Sequence, residues 1–200
     1  MEAIQMGELI IETLSEDVRL PSYVSDGDSG MDVRSRDHCL LMPGQTFLFK
    51  LGFKMGIPEH PWHEAGWRWE CQARPRSGVS LKTSLTIPNS PGTIDNFYTS
   101  EVGIMMRNSA LPRVGDQKTV RTLDGRDVAI EDLPAFLRPK NNVVPVGTIW
   151  VKPGDRTAQL VLMPIIRPLK ITAGKIAPTW LDSEFGFASS ITKRSVVLLG

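Results

Sequence analysis

The chain is poor in cysteine. Cys39 and Cys71 are the only two, far apart and without CxxC spacing. That usage argues against a disulfide framework and reads as reduced, buried thiols in a cytoplasmic protein. Charge of one sign is also lacking: 23 basic against 22 acidic residues leave a net charge of +1. No global field then favours nucleic acid or an anionic membrane, so any polyanion site must be local. No apolar run approaches the roughly 18 residues of a membrane span. The start, Met1-Glu2-Ala3-Ile4-Gln5, lacks the basic region and apolar core of a signal peptide. No repeat or low-complexity tract occurs. A composition of 41% hydrophobic and 22% charged residues suffices for one core and an appendage.

What is present is alternation. Phe47, Phe49, Leu51, Phe53 and Met55 share one parity, and Lys50 and Lys54 hold the other. Trp67, Trp69, Cys71 and Ala73 alternate with Arg68, Glu70, Gln72 and Arg74. Val102, Ile104 and Met106 repeat the pattern, as do Ala158, Leu160 and Leu162. Each is the period-two signature of a half-buried strand. Pro43-Gly44, Pro91-Gly92 and Pro153-Gly154 punctuate them as turns. Many short strands so separated predict an all-β sandwich, jelly roll or barrel. Residues 77–83 and 130–137 offer only short helical turns that need tertiary support. Residues 60–66 and about 109–149 read as insertions, the second polar and long enough to be functional or an added subdomain. His60 and His63, with Pro61 between them and no third ligand, read as loop residues rather than a zinc site.

Four polar clusters mark strand ends and turns. In residues 89–98, Pro fixes φ and Gly permits φ > 0, which predicts a rigid turn leading into a strand hairpin. Asn89 there offers a donor and an acceptor that can read a base edge. Asp95 can handle a proton while Tyr98 packs against a flat or sugar-like ligand. In Arg74-Pro75-Arg76-Ser77-Gly78, a guanidinium, a hydroxyl and backbone N–H groups suit phosphate. Asp32, after Gly30, can hold a divalent ion through water or serve as a turn residue. In Pro153-Gly154-Asp155-Arg156, the Asp and Arg read as a pair that caps a turn, with Gln159 at a strand start in reach of a ligand.

These clusters, with their order and spacing, resemble the motifs of the homotrimeric dUTP pyrophosphatases (dUTPases). The matching segments are Gly30-Met31-Asp32-Val33, Arg74-Pro75-Arg76-Ser77-Gly78, Asn89-Ser90-Pro91-Gly92-Thr93-Ile94-Asp95 with Tyr98, and Gly154-Asp155-Arg156-Thr157-Ala158-Gln159-Leu160. With the strands between them they cover about three quarters of the chain, and four collinear matches are specific where one alone is weak. The resemblance implies a jelly-roll-like subunit (β-clip) in a homotrimer with three shared sites, dUTP as substrate, Mg²⁺ as cofactor and a cytoplasmic setting. It implies Asp95 as the base that activates water, and Tyr98 under the deoxyribose, excluding a 2′-hydroxyl. Asn89 would read uracil with backbone groups of its own turn, at Gly92 and Ile94. Arg76, Ser77, Gly78 and Gln159 would hold the phosphates, and Asp32 would support a hydrated Mg²⁺ through water.

The resemblance divides the chain into a β domain, residues 1–178 with the 109–149 insert, and a C-terminal arm, 179–200. In the arm Phe187 would stack on uracil and Ser189 would add a hydroxyl, but Asp182 stands where a cation is expected. Some phage members carry such an insert for protein contacts, which admits a phage-type chain with a partner bound through 109–149, while the weightier expectation is a surface elaboration on the trimer. Two alternatives accompany this reading. One is a nucleotide-sensing regulator that docks a protein through the insert. The other is a dCTP deaminase-like enzyme, which needs a glutamate base in the base pocket; the turn offers Asp95 instead, and Glu101 lies past Tyr98.

Overall fold

The computed structural model describes residues 7–174. Phe187, Ser189 and the rest of the expected arm lie outside the described residues. The elements are β1 (Ile10–Thr13), β2 (Met31–Arg34), β3 (Cys39–Leu41), β4 (Thr46–Lys50), β5 (Phe53–Gly56), β6 (Trp67–Pro75), α1 (Ser77–Lys82), β7 (Leu85–Thr86), β8 (Gly92–Asp95) and β9 (Gly103–Asn108). They continue with β10 (Asp116–Gln117), β11 (Thr119–Thr122), β12 (Asp127–Ala129), β13 (Val144–Pro145), β14 (Ile149–Val151) and β15 (Arg156–Ile166). The fold is all-β and jelly-roll-like, with α1 the one α-helix among the described residues. The first compact unit ends at Arg167, and residues 168–174 hold no strand or helix.

The main sheet has the order β2-β15-β6-β8, antiparallel throughout. A three-stranded sheet, β4-β9-β7, and the pair β1-β5 complete the body of the fold. Period two explains the core: Phe49, Ile104, Met106, Cys71, Ala73, Ala158 and Leu160 are all buried, and each lies on the inner parity of its strand. Leu51, Phe53 and Met55 are buried as their alternation predicts, but Phe47 at the outer end of β4 is 38% exposed.

Trp67 and Trp69 are only half-buried, because residues 60–66 fold onto β6 and meet them there. His60 is buried, its ring 4.7 Å from Trp69 and 5.4 Å from Trp67. It is a loop residue, as expected, but a packed one, and burial pushes its pKa down. Both cysteines are free thiols, with Cys71 buried and Cys39 half-buried.

The turn after Asn89 does not lead into a hairpin. β8 pairs with β6 in the main sheet, whereas β9 pairs with β4 and β7 in the other. Residues 96–102 therefore arch from one sheet to the other. Alternation assigns a face to each strand but no partner, so the two strands looked adjacent.

The insert is a folded element. β11 pairs with β12 and, in parallel, with β14, and β14 continues onto β3. Val120, Ile130, Leu133, Val144 and Trp150 form a second buried cluster, separate from the main core. Two single 3₁₀ turns, Ile130–Asp132 and Ala135–Leu137, stand where short helical turns were expected. Leu123 leaves the insert to join the main core.

Ile130 is 1% exposed within this second cluster, so Ile130→Ala should cost about 2–4 kcal/mol. Hydrogen exchange should then show protection falling first in β11, β12 and β14, with β4, β9 and β15 retained. Uniform loss across both cores would show that the insert does not fold as a separate cluster.

Candidate functional site

Asp32 sits in β2, opposite Gln159 of β15, which in turn lies opposite Arg74 of β6. These three residues line up across the main sheet on one face. The Asp32 side chain is 2% exposed and receives two guanidinium groups. Arg76 donates Nε to Oδ1 at 2.8 Å, and Arg156 donates Nη1 to Oδ2 at 3.0 Å. Charge-assisted bonds of this kind fix guanidinium planes more firmly than neutral ones. Arg156 therefore pairs with Asp32 and not with its neighbour Asp155. The Asp155 carboxylate caps the turn instead, accepting the Lys152 N–H at 3.0 Å. Burial holds the Asp155 carboxyl above its ordinary range.

Arg76 is also the residue before α1, and no side chain caps that helix start. The first N–H groups of a helix lack intrahelical acceptors, so Ser77 and Gly78 open α1 with donors free for a ligand. Gly30 completes this region by its absence of a side chain: a Cβ there would stand 3.1 Å from the Gln159 Cβ and 3.2 Å from Val161.

Beside these residues lies a cleft of about 360 Å³ whose walls include Arg34, Arg76, Lys82, Lys152 and Arg156, with Gly78 at its edge. This cleft is lined by five cations together with Asp124 and Asp155, and in a chain of net charge +1 it concentrates positive charge locally. Its far wall holds Leu123 and Asp124 from the insert. No motif marks those two; Leu123 as the last apolar residue before the Asp124-Gly125 turn was the only signal. Gly125 there has φ +85° and packs on the stem of Lys82 in α1, where a Cβ would stand 3.2 Å away. Arg126 and the Thr122 hydroxyl bond the Asp124 carboxylate and hold its pKa down at about 2.

A second region lies along β6 where β8 pairs with it, between Glu70 and Ala73. Asn89, Gly92, Ile94, Ala73, Leu48 and Met105 line a small cleft of about 80 Å³. A neighbouring one of about 140 Å³ is lined by Thr93, Ile94, Tyr98, Val102 and Gly103. The two share Thr93, Ile94 and Gly103. Gly92 is needed here for space rather than for a positive φ. A Cβ on it would approach Asn89 Nδ2 to 3.2 Å and Ala73 Cβ to 3.4 Å, so its absence lets the Asn89 amide lie over the strand. Asp95 ends β8 with its side chain exposed, opposite Glu70 of β6. Tyr98 follows on the arch, its hydroxyl donating to the Glu101 carbonyl at 3.2 Å.

Asp95 and Arg76 do not meet within one chain. Asp95 pairs with Glu70, and Arg76 is six residues further along the chain from that point. At about 3.3 Å per strand residue the separation is roughly 20 Å, several times the reach of a hydrogen bond.

The Asp32 carboxylate is engaged by arginine in this structure. Both its oxygens already accept guanidinium N–H groups and almost none of its surface is open. Among the described residues no group of three His, Cys, Asp or Glu side chains could hold a metal ion.

No protein-family model matches the chain. The deoxyuridine 5′-triphosphate nucleotidohydrolase of Clostridium tetani is 41% identical over 100 residues, 50% of this chain and 63% of that protein. The match thus spans just under two thirds of the length of that relative. The protein of the same name from Hydrogenobaculum sp. is 29% identical over 181 residues, covering 90% of this chain and 96% of its own length. Among solved structures, the dUTPase from phage phi11 of S. aureus, whose structure visualises a species-specific insert, is similar at 29% identity and a TM-score of 0.70. That likeness covers 85% of this chain and 98% of the phage chain. A mutant of the same phage enzyme reveals the coordination of a structural Mg(II) ion.

Asp32 is the shared counter-ion, so Asp32→Ala should strand two guanidinium groups and cost about 2–4 kcal/mol in urea unfolding. Arg156, 40% exposed, is rehydrated when its partner is lost. Arg156→Ala should therefore cost less than half as much, because Arg76 still neutralises Asp32. Equal costs would contradict the shared pairing.

Proposed function

We propose that the chain is a dUTPase that hydrolyses dUTP to dUMP and pyrophosphate. The observation that carries the proposal is a pair of half-sites along β6: a guanidinium-lined cleft beside α1 and a neutral cleft where β8 pairs with β6, between Asn89 and Tyr98. The first suits a triphosphate. Arg76, oriented by Asp32, forks onto phosphate oxygens, while Ser77, the Gly78 N–H and Gln159 donate to others. The second suits a deoxyuridine. The Asn89 amide meets the base edge beside the Gly92 and Ile94 backbone, and Tyr98 packs on the sugar with no room for a 2′-hydroxyl.

In the proposed step Asp95 takes a proton from a water as its oxygen attacks the α-phosphorus. A new P–O bond forms, and the bond to the bridging oxygen breaks. Pyrophosphate leaves with the electron pair, its charge met by Arg76 and the α1 donors. The exposed Asp95 carboxylate then returns its proton to solvent. Mg²⁺ in this reading arrives on the triphosphate, since hydrated Mg²⁺ favours phosphate oxygens over dedicated protein cages. No step is assigned to it.

A separation of roughly 20 Å between Asp95 and Arg76 supports a site shared between copies. One subunit supplies the phosphate cleft and another the arch, as in a homotrimer. The reading places the reaction in the cytoplasm. A deaminase is disfavoured because the Glu101 carboxylate is engaged away from the base cleft, accepting the Gly52 N–H at 2.9 Å.

A second, compatible role falls to residues 109–149. Leu111 and Val114 are 82% and 105% exposed within four residues of each other, and Leu123 and Asp124 wall the phosphate cleft. An apolar docking patch on an element that touches the nucleotide suits a protein partner that senses occupancy. A Leu111→Asp/Val114→Asp variant should keep turnover while losing partner capture in a pull-down. Equal capture would exclude the patch.

For the reaction, the full-length protein with dUTP and Mg²⁺ should release pyrophosphate, with dTTP and UTP turned over far more slowly. Asp95→Asn should bind dUTP without turnover, and Arg76→Ala should lose binding. Refolding these two inactive variants together should restore part of the activity, because some mixed sites carry both native residues. No release from dUTP sinks the enzyme reading, and no complementation sinks the shared site alone.

A further inference from the structure

Residues 96–102 form the arch between the sheets, and they hold no strand or helix. Phe97 is 76% exposed and Tyr98 41%. Packing cannot fix a segment so open, yet on the reading above the reaction needs Asp95 and Tyr98 in register. Three bonds supply what packing does not. The Tyr98 N–H donates to the Asp95 carbonyl at 3.0 Å. The Tyr98 hydroxyl donates to the Glu101 carbonyl at 3.2 Å. The Glu101 carboxylate accepts the Gly52 N–H at 2.9 Å, across 49 residues of sequence.

Gly52 is a fixed point. Its φ is +77°, and a Cβ there would fall 2.4 Å from Arg36 Nη1, so the turn between β4 and β5 admits only glycine without displacing Arg36. Reciprocal backbone bonds seat the next residue of the arch on the same turn: Leu51 donates to Val102 and Val102 to Phe53, each at 2.9 Å. The Glu101 side chain is 21% exposed, and its other oxygen lies 3.5 Å from Lys50 Nζ, a side chain 67% exposed. The bond to the Gly52 N–H is thus the sheltered one and the ion pair the solvated one.

We propose that Glu101 is a positioning residue for the reaction: it anchors the arch to the Gly52 turn and so sets the Tyr98 ring and the Asp95 backbone. The role rests on the dUTPase reading for its consequence, although not for its geometry. Glu101 touches neither substrate nor reacting atoms in this scheme. Its effect is to hold the sugar platform still enough to exclude a 2′-hydroxyl.

The chain has two tyrosines, so a Tyr23→Phe background leaves one tyrosine ring signal in an NMR spectrum, that of Tyr98. Glu101→Ala should shift or broaden that signal. It should also lower the preference for dUTP over UTP in kcat/KM by about tenfold, the scale of one charge-assisted hydrogen bond, chiefly through KM. Glu101→Gln keeps an oxygen for the Gly52 N–H and should retain both properties, and Lys50→Met should leave both unchanged. If Glu101→Ala does not fold, Glu101→Asp, one methylene short of Gly52, takes its place. An unmoved ring signal with unchanged preference overturns the proposal, as does Glu101→Gln behaving like Glu101→Ala. A protein inactive on dUTP whose Tyr98 signal still responds to Glu101→Ala and not to Glu101→Gln would overturn the enzyme reading and support the anchoring.

Discussion

A single buried carboxylate organises this protein's phosphate cleft. Asp32 lies in β2, Arg156 begins β15, and Arg76 links β6 to α1. One anion therefore ties three neighbouring strands and the start of the helix at one point. Burying a carboxylate costs several kcal/mol unless it is paired, and two guanidinium groups repay that cost here. The same pairing decides function, because each guanidinium has five N–H donors. Those not spent on Asp32 are held in fixed planes facing the cleft. A cation free to rotate would neutralise a phosphate, but it would not orient one.

The length of β6 is the second constraint. It is nine residues long, with Arg76 just past its C-terminal end and Glu70, the partner of Asp95, at its middle. The strand holds those two points roughly 20 Å apart. On the proposed reading a second copy supplies the group that one chain holds too far away, and the exposure of Asp95 and Tyr98 suits that approach.

Much of this was legible in the sequence. Alternation at Val102, Ile104 and Met106 gave the buried face of β9, and residues 77–83 gave α1, because both signals are local. The four clusters gave every proposed site residue among the described ones. What failed was non-local. The Asn89 turn read as a hairpin because periodicity names a face and not a partner strand. Asp155 and Arg156 read as a pair because they adjoin in sequence, whereas β15 sends their side chains apart, to the Lys152 turn and to Asp32. The two arginines that converge on Asp32 from 44 and 124 residues away were likewise hidden from a short motif. The walls supplied by Leu123 and Asp124 were invisible for the same reason.

The insert shows how such distant contacts acquire consequence. Its own cluster of Val120, Ile130, Leu133, Val144 and Trp150 folds it, but Leu123 is buried in the main core and Gly125 lies on Lys82 of α1. The turn between β11 and β12 is therefore clamped from both sides. Whatever moves α1 when its free N–H groups take up an anion must either move this turn or be resisted by it. Close-packed contacts transmit such displacement rather than absorb it. A segment added only for surface contacts would need no residue in the main core. Leu123, buried in that core and lining the cleft, gives this one a mechanical link to it.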